Sequence, residues 1–388
     1  MVFKKSEFVQ RLNKTKESMQ KLGIDVLLTT NPANMNYLSG YDGYSYYVEQ
    51  GVIVILDQEE PIWVGRRMDV NGAKLTTWIQ ENNIKGYSDD YVQSSTKHPM
   101  NFFADILKEL DCDKKRIGFE MNQEFFSHRA YLELEKDLPN ATFKDASYLV
   151  NHIRMIKSEQ EIEHMKIAGR ITERAMQTAI DHIEVGVREA DVAAKVYQQL
   201  ISGVDGLAGH YPAIIPLMPS GERTSTPHLS WTDKKYEKNE VVFMELSGCR
   251  YRYHAPLART IFLGQPTHEF EEVSKVVLEG LDIILDFIKP GILCEEVELK
   301  WRNAIEKTGL AKESRVGYPI GLGYPPDWGE QTLSFRPGDR TVLEPNMTIH
   351  VLPAIWMDEQ GFEVSETIRI TENGCEPFSN IERALFLK

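Results

Sequence analysis

The sequence predicts two domains of different class, an α/β domain over residues 1–155 and an α+β domain over residues 156–388. Two observations carry this. Up to residue 155, short apolar strand-like runs alternate with helical patterns, which is how a mixed α/β layer structure reads. Beyond it, a few long helical patterns are set among extended strand segments, and Ser158 with Glu161 forms a capping box where the second domain begins.

Taken in order, "SEFVQRLNKTKESMQKLG" places Phe8, Leu12, Met19 and Leu22 on one helical stripe and stops at Gly23. The runs "DVLLTT", "GVIVIL", "PIWVG" and "RIGFEM" are read as strands, separated by helical stretches that include "NFFADILKEL" and "EFFSHRAYLELEKDL". Residues 149–183 read as one long helical pattern. Between Thr267 and Lys289-Pro290-Gly291, Phe270, Val273, Val277, Leu281, Ile284 and Ile288 recur at steps of three and four, which predicts an amphipathic helix. Strand or hairpin segments are expected at 211–218, 241–264, 341–356 and 363–371.

Composition narrows the function. The chain has 388 residues, 42% hydrophobic and 26% charged, and a net charge of -14 without a long Lys/Arg block, so a nucleic-acid partner is not expected. No apolar run approaches the ~20 residues of a membrane span, and a cytoplasmic location is expected. Cys112, Cys249, Cys294 and Cys375 lie far apart with no C-x-x-C pair, which argues against a cysteine-built zinc site or a disulfide framework.

The stretch "VVFMELSGCRYRYHAPLART" sets the chemical problem. Glu245 follows four apolar residues in a strand, and a buried carboxylate costs several kcal/mol, roughly the penalty for desolvating one ion, unless a partner or a proton relieves it.

The segments "HIRMIKSEQEIEHMKIAGRITERAM", "ARTIFLG", "FIKPG", "VLEPNMTIHVLPAIW" and "SETIRITENG" resemble, in order and spacing, the pita-bread family of methionine aminopeptidase, prolidase, aminopeptidase P and creatinase. The resemblance covers nearly the whole chain. It implies a creatinase/prolidase-type N-terminal domain and a pita-bread catalytic domain. Metallopeptidases of that family hold two metal ions with two Asp, one His and two Glu. On this sequence those positions fall on Glu245, Pro256, Tyr318, Leu352 and Ser365, a set without the donors for two cations, so no metal or other cofactor is expected.

Within the family the resemblance points to the metal-free, creatinase-like branch, and "HYPAIIPLMPSGERTSTPHLSWTD" with "ELSGCRYRYHAPLART" is most similar to ectoine hydrolases. This implies a small zwitterionic substrate, the cyclic amidine ectoine, with Glu245 as nucleophile or base. His254 is the first candidate for the acid and His228 the second; Glu366 or Glu330 is left to take the other amidinium N–H. Tyr318, Trp328, His350 and Trp356 are expected to wall the ring. By analogy with creatinase, the chain is expected to be a homodimer in which the loop "GYDGYSYYVEQG", with Tyr44, Tyr46 and Tyr47, closes a neighbour's pocket beside Arg66 and Arg67; a packed hairpin is the alternative. A proline dipeptidase, a creatinase-type amidinohydrolase, a binding module without activity, and a single metal relocated onto Glu245, His254, His350 and Glu366 stay open as rival readings.

Overall fold

The computed structural model describes residues 2–306 and 308–388. It divides into two units, Met1–Arg154 and Met155–Lys388.

The first unit runs α1 (Lys5–Leu22), β1 (Val26–Thr29), α2 (Pro32–Ser39), β2 (Gly51–Ile55), β3 (Ile62–Arg66), α3 (Val70–Thr76), β4 (Ile84–Tyr87), α4 (Pro99–Glu109), β5 (Arg116–Phe119), α5 (His128–Asp137), β6 (Thr142–Asp145) and α6 (Leu149–Arg154). Its sheet has the order β4-β3-β2-β1-β5-β6, with β1, β2 and β3 paired antiparallel and the outer pairs parallel. Val26, Leu28, Ile53, Ile62 and Val64 pack against Phe103 and Leu107 of α4 and Leu134 of α5. Phe8, Leu12 and Met19 of α1 are buried, but Leu22 is exposed: the chain turns at Gly23, in the left-handed conformation, before the stripe would carry Leu22 inward.

The second unit opens on α7 (Glu159–His182) and α8 (Glu189–Ser202), followed by β7 (Glu240–Arg250), β8 (Tyr253–Leu263), α9 (His268–Phe287) and α10 (Cys294–Glu306). Next come β9 (Gly317–Tyr324), β10 (Asp327–Gly329), β11 (Thr348–Val351), β12 (Ala354–Trp356), β13 (Gly361–Glu363), β14 (Glu366–Ile370), β15 (Cys375–Pro377) and β16 (Leu385–Leu387). The main sheet has the order β15-β14-β11-β9-β8-β16, with β7 paired to β8 and β10 to β9. Apolar residues of α7 and α8 share one core with Val242, Met244, Leu246, Leu257 and Ile261. A separate core joins α9 and α10 to Ile349, Val351, Phe362, Val364 and Ile368. All six residues of the predicted α9 stripe are buried in it.

Two expectations are corrected. The pattern over 149–183 breaks between Arg154 and Glu159, because Ser158 takes an extended conformation and caps α7: its hydroxyl accepts from the Glu161 N–H and the Glu161 carboxylate accepts from the Ser158 N–H. Residues 211–218 form no ladder. Pro212 and Pro216 lack the N–H groups a strand needs, and only Leu217 bridges, exchanging both backbone hydrogen bonds with Glu245 at 2.8 and 2.9 Å. No disulfide joins the four cysteines.

Because the capping box starts the long helix under the catalytic unit's sheet, Ser158→Ala should lower the unfolding free energy by about 1 kcal/mol, the usual worth of an N-cap side chain. Urea denaturation would show it as a lower midpoint; an unchanged midpoint would mean the start of α7 is held by tertiary packing alone.

Candidate functional site

Strand alternation builds the site. On β7, Met244 and Leu246 enter the α7/α8 core, so Glu245 between them faces the other way. On β11, Ile349 and Val351 enter the α9/α10 core and His350 faces away from it. Phe362 and Val364 belong to that same core, which turns Glu363 and Ser365 from it in the same manner. Side chains from β7, β9, β11 and the β13–β14 bend therefore converge on one buried polar cluster.

Its centre is His350. The Nδ1 atom lies 2.9 Å from the Tyr318 hydroxyl and 3.8 Å from Glu245 Oε1, and Nε2 lies 2.7 Å from Ser365 Oγ. Burial pushes the imidazole down to about 3, with Arg315 and Lys312 adding to the effect, so it is neutral. The Ala258 N–H donates to Ser365 Oγ at 2.7 Å and Trp328 Nε1–H donates to the Tyr318 hydroxyl at 2.8 Å. Placing the serine proton on its bond to Nε2 leaves the ring proton on Nδ1, between Tyr318 and Glu245. Tyr318 then accepts twice and its own proton is free for the pocket.

The electrostatics turn on two residues that the sequence did not single out. Glu363 is buried, and its Oε2 has no hydrogen-bond partner among the described residues. Lys312, on the loop between α10 and β9, is half-buried and donates its ammonium to the Leu352 carbonyl at 2.9 Å. Burial raises Glu245 well above the ordinary carboxylate range; the Glu363 charge pushes the same way and the Lys312 charge opposes both. Burial likewise raises Glu363 to about 7 against the pull of Lys312. Desolvation lowers Lys312 to about 8 while both carboxylates hold its proton on. The three groups form one charge cluster.

The remaining candidates are placed as follows. His254 is fully buried, its ring 6.1 Å from that of Trp328, and its Nε2 accepts from the Ala213 N–H at 2.9 Å. Burial, with the Arg252 charge, lowers it to about 3, so it is neutral with its proton on Nδ1. Trp356 lies against Phe243, two residues before Glu245, with ring centroids 5.7 Å apart. Glu330 is brought to a different partner, the buried ammonium of Lys157, at 2.5 Å. Glu366 sits opposite Val351, on the face away from His350, where Arg259 at 2.6 Å and Arg383 at 3.2 Å hold its Oε1. His228 is exposed on a turn after the short helix Gly221–Ser225. Tyr46 and Tyr47 belong to the first unit, where Tyr46 packs on Tyr44 and Phe125 and Tyr47 is 70% exposed.

The five positions that the resemblance assigns to metal ligands do not fit two cations. Pro256 and Leu352 offer no side-chain donor, and Tyr318 and Ser365 spend their hydroxyls on His350. Among the described residues, no three His, Cys, Asp or Glu side chains are grouped as a metal site.

Comparison with known proteins agrees with this architecture. Residues 163–372 match the metallopeptidase family M24 model, and residues 11–156 match the creatinase/prolidase N-terminal domain. The chain is 42% identical to the ectoine hydrolase of Halomonas elongata, over 100% of this chain and 98% of that protein. It is 28% identical to the Xaa-Pro dipeptidase of Pyrococcus horikoshii, over 97% of this chain and 98% of that one. A solved prolidase structure from Pyrococcus horikoshii superposes with a TM-score of 0.82 at 26% identity, covering 97% of this chain and all of that one. Among the described residues no helix is long and apolar enough to cross a membrane.

Glu245 binds its proton more tightly folded than unfolded, so the associated stability is present at low pH and is lost as pH rises through the raised folded value. Glu245→Gln is neutral at every pH. Its melting temperature should therefore match wild type in acid and exceed it by a widening margin toward neutral pH; a deficit that is constant with pH would show that the carboxylate is a stabilising partner.

Proposed function

The chain belongs to metallopeptidase family M24 and is a hydrolase, and on that premise we propose that it opens the cyclic amidine ectoine to N-acetyl-2,4-diaminobutyrate without a metal ion. The observation that carries this reading is Glu245. It is a buried carboxylate whose charge is only partly compensated, beside a neutral imidazole, in the position where the family otherwise places a metal ligand. An amidinium supplies the missing positive charge and presents N–H groups to carboxylate oxygens. The similarity to a protein named ectoine hydrolase supports the choice among amidines.

In this reading the positively charged amidine draws Glu245 toward its ionised form. Glu245 then either takes a proton from the water that attacks the amidine carbon, or attacks that carbon itself, forming an Oε–C bond that the water cleaves after the ring has opened to release the product and free the carboxylate. One ring C–N bond breaks and its electron pair stays on the departing nitrogen. Both protons of the consumed water finish on that nitrogen, so the positive charge of the amidinium is carried into the product ammonium and no net proton is exchanged. His254, the first acid expected from the sequence, is neutral and serves as a hydrogen-bond donor through Nδ1. Lys312 is protonated just below about 8 and lends the proton; Glu363, at about 7, passes one back. Tyr318, Trp328 and Trp356 exclude water from the ring. The reading includes a homodimer acting in the cytoplasm.

Three outcomes follow. Metal-stripped protein incubated with ectoine should yield the ring-opened product by NMR with or without EDTA, whereas stoichiometric metal and chelator-sensitive turnover would overturn the metal-free mechanism. Glu245→Gln should lower kcat by at least ~100-fold, the lower scale for a positioned acid–base or nucleophilic group; near-normal turnover would remove Glu245 from both roles. The rate should fall in acid as Glu245 takes its proton, and fall again above about pH 8 as Lys312 gives up its own.

A further inference from the structure

The cluster has a second cation, and its charge is not spoken for. Arg315 lies three residues after Lys312 on the same loop and is exposed at the start of β9. Its guanidinium lies 4.3 Å from the centroid of the Tyr318 ring, and Nη1 makes one long bond, 3.3 Å, to Ser334 Oγ. No carboxylate pairs with it among the described residues. Yet its charge reaches the interior: it contributes to the lowering of His350 and opposes the rise of Tyr318. The loop thus turns one cation inward, to the Leu352 carbonyl, and holds the other against the outer side of a pocket wall.

We propose that Arg315 binds the carboxylate of the substrate and so sets the specificity of the site for a zwitterionic ring. This inference rests on the ectoine reading above. The charges decide it. Glu245 and Glu363 face one ammonium, Lys312, so an amidinium completes the balance inside. The substrate's carboxylate would unbalance it again if it also turned inward, where two carboxylates already lie. It is directed instead to the rim, past Tyr318, where a planar fork of N–H donors suited to a carboxylate stands without an acidic partner. Tyr318 holds this geometry from both sides: its ring carries the guanidinium and its hydroxyl is fixed by Trp328 and His350.

A comparison of two substrates tests the assignment. Wild type, Arg315→Met and Arg315→Lys would each be assayed with ectoine and with the same ring lacking its carboxylate, 2-methyl-1,4,5,6-tetrahydropyrimidine. Arg315→Met should lower kcat/KM for ectoine about 10–100-fold, the scale of a charge-assisted hydrogen bond, chiefly through KM. It should leave the carboxylate-free ring within a factor of about three, well under that scale, and Arg315→Lys should fall between. Equal losses on both substrates, or no loss on ectoine, would overturn the role of Arg315 while leaving the ectoine reading intact. A wild-type enzyme inactive on both rings would overturn the ectoine reading and this inference with it.

Discussion

Two carboxylates buried in one pocket cannot both be charged without a cation between them, and the catalytic unit is organised around that constraint. Glu245 and Glu363 each repel the other's charge, and the penalty for desolvating either exceeds what distant charges relieve. In a dinuclear metallopeptidase the compensation is metallic. Here an ammonium brought in by a loop does part of it, and in the proposed function the amidinium of the substrate would supply the rest. The cluster is held short of neutrality, with Lys312 opposing the rise of both carboxylates: Glu363, though deeply buried, titrates at about 7, and Glu245 is raised well above the ordinary carboxylate range.

The fold keeps that arrangement rigid from two sides. The α7/α8 core grips β7 through Met244 and Leu246, and the α9/α10 core grips β11 and β13 through Ile349, Val351 and Phe362. Glu245, His350 and Glu363 are thus each flanked along the chain by anchored apolar neighbours. Leu217 pins the Glu245 backbone with a pair of hydrogen bonds, although no strand forms around it. Two further buried ion pairs, Lys157–Glu330 and Arg259–Glu366, lie apart from the Glu245–His350 contact. Removing one partner from such a pair leaves a bare charge and typically costs about 3–5 kcal/mol, so loss of activity on changing Glu330 or Glu366 would carry structural information first.

Much of this was legible in the sequence, and the reasons are local. The capping box at Ser158, the α9 stripe and the break of apolar pattern at Glu245 are all signals contained within a few residues. Residues 211–218 misled because their apolar content reads as strand while the prolines that forbid a ladder are a weaker signal. Glu363 was within reach: in "GFEVSE" it alternates with Phe362 and Val364, so a strand reading places it with Ser365 on the polar face and Glu366 on the other. Lys312 and Arg315 were not. A lone cation in a loop carries no period, and only the tertiary path of residues 308–316 brings these two to Glu245 and Tyr318.

The state of Lys312 tests the central claim most directly. Side-chain NMR titration of isotopically labelled lysines, with the Lys312 resonance assigned through Lys312→Arg, would read its proton affinity in the intact protein. An ammonium desolvated at the Leu352 carbonyl, with the Glu363 and Glu245 charges holding its proton on, titrates near 8. A midpoint at the ordinary lysine value, about 10.4, would show a solvated amine, and the two carboxylates would then have no internal cation to share.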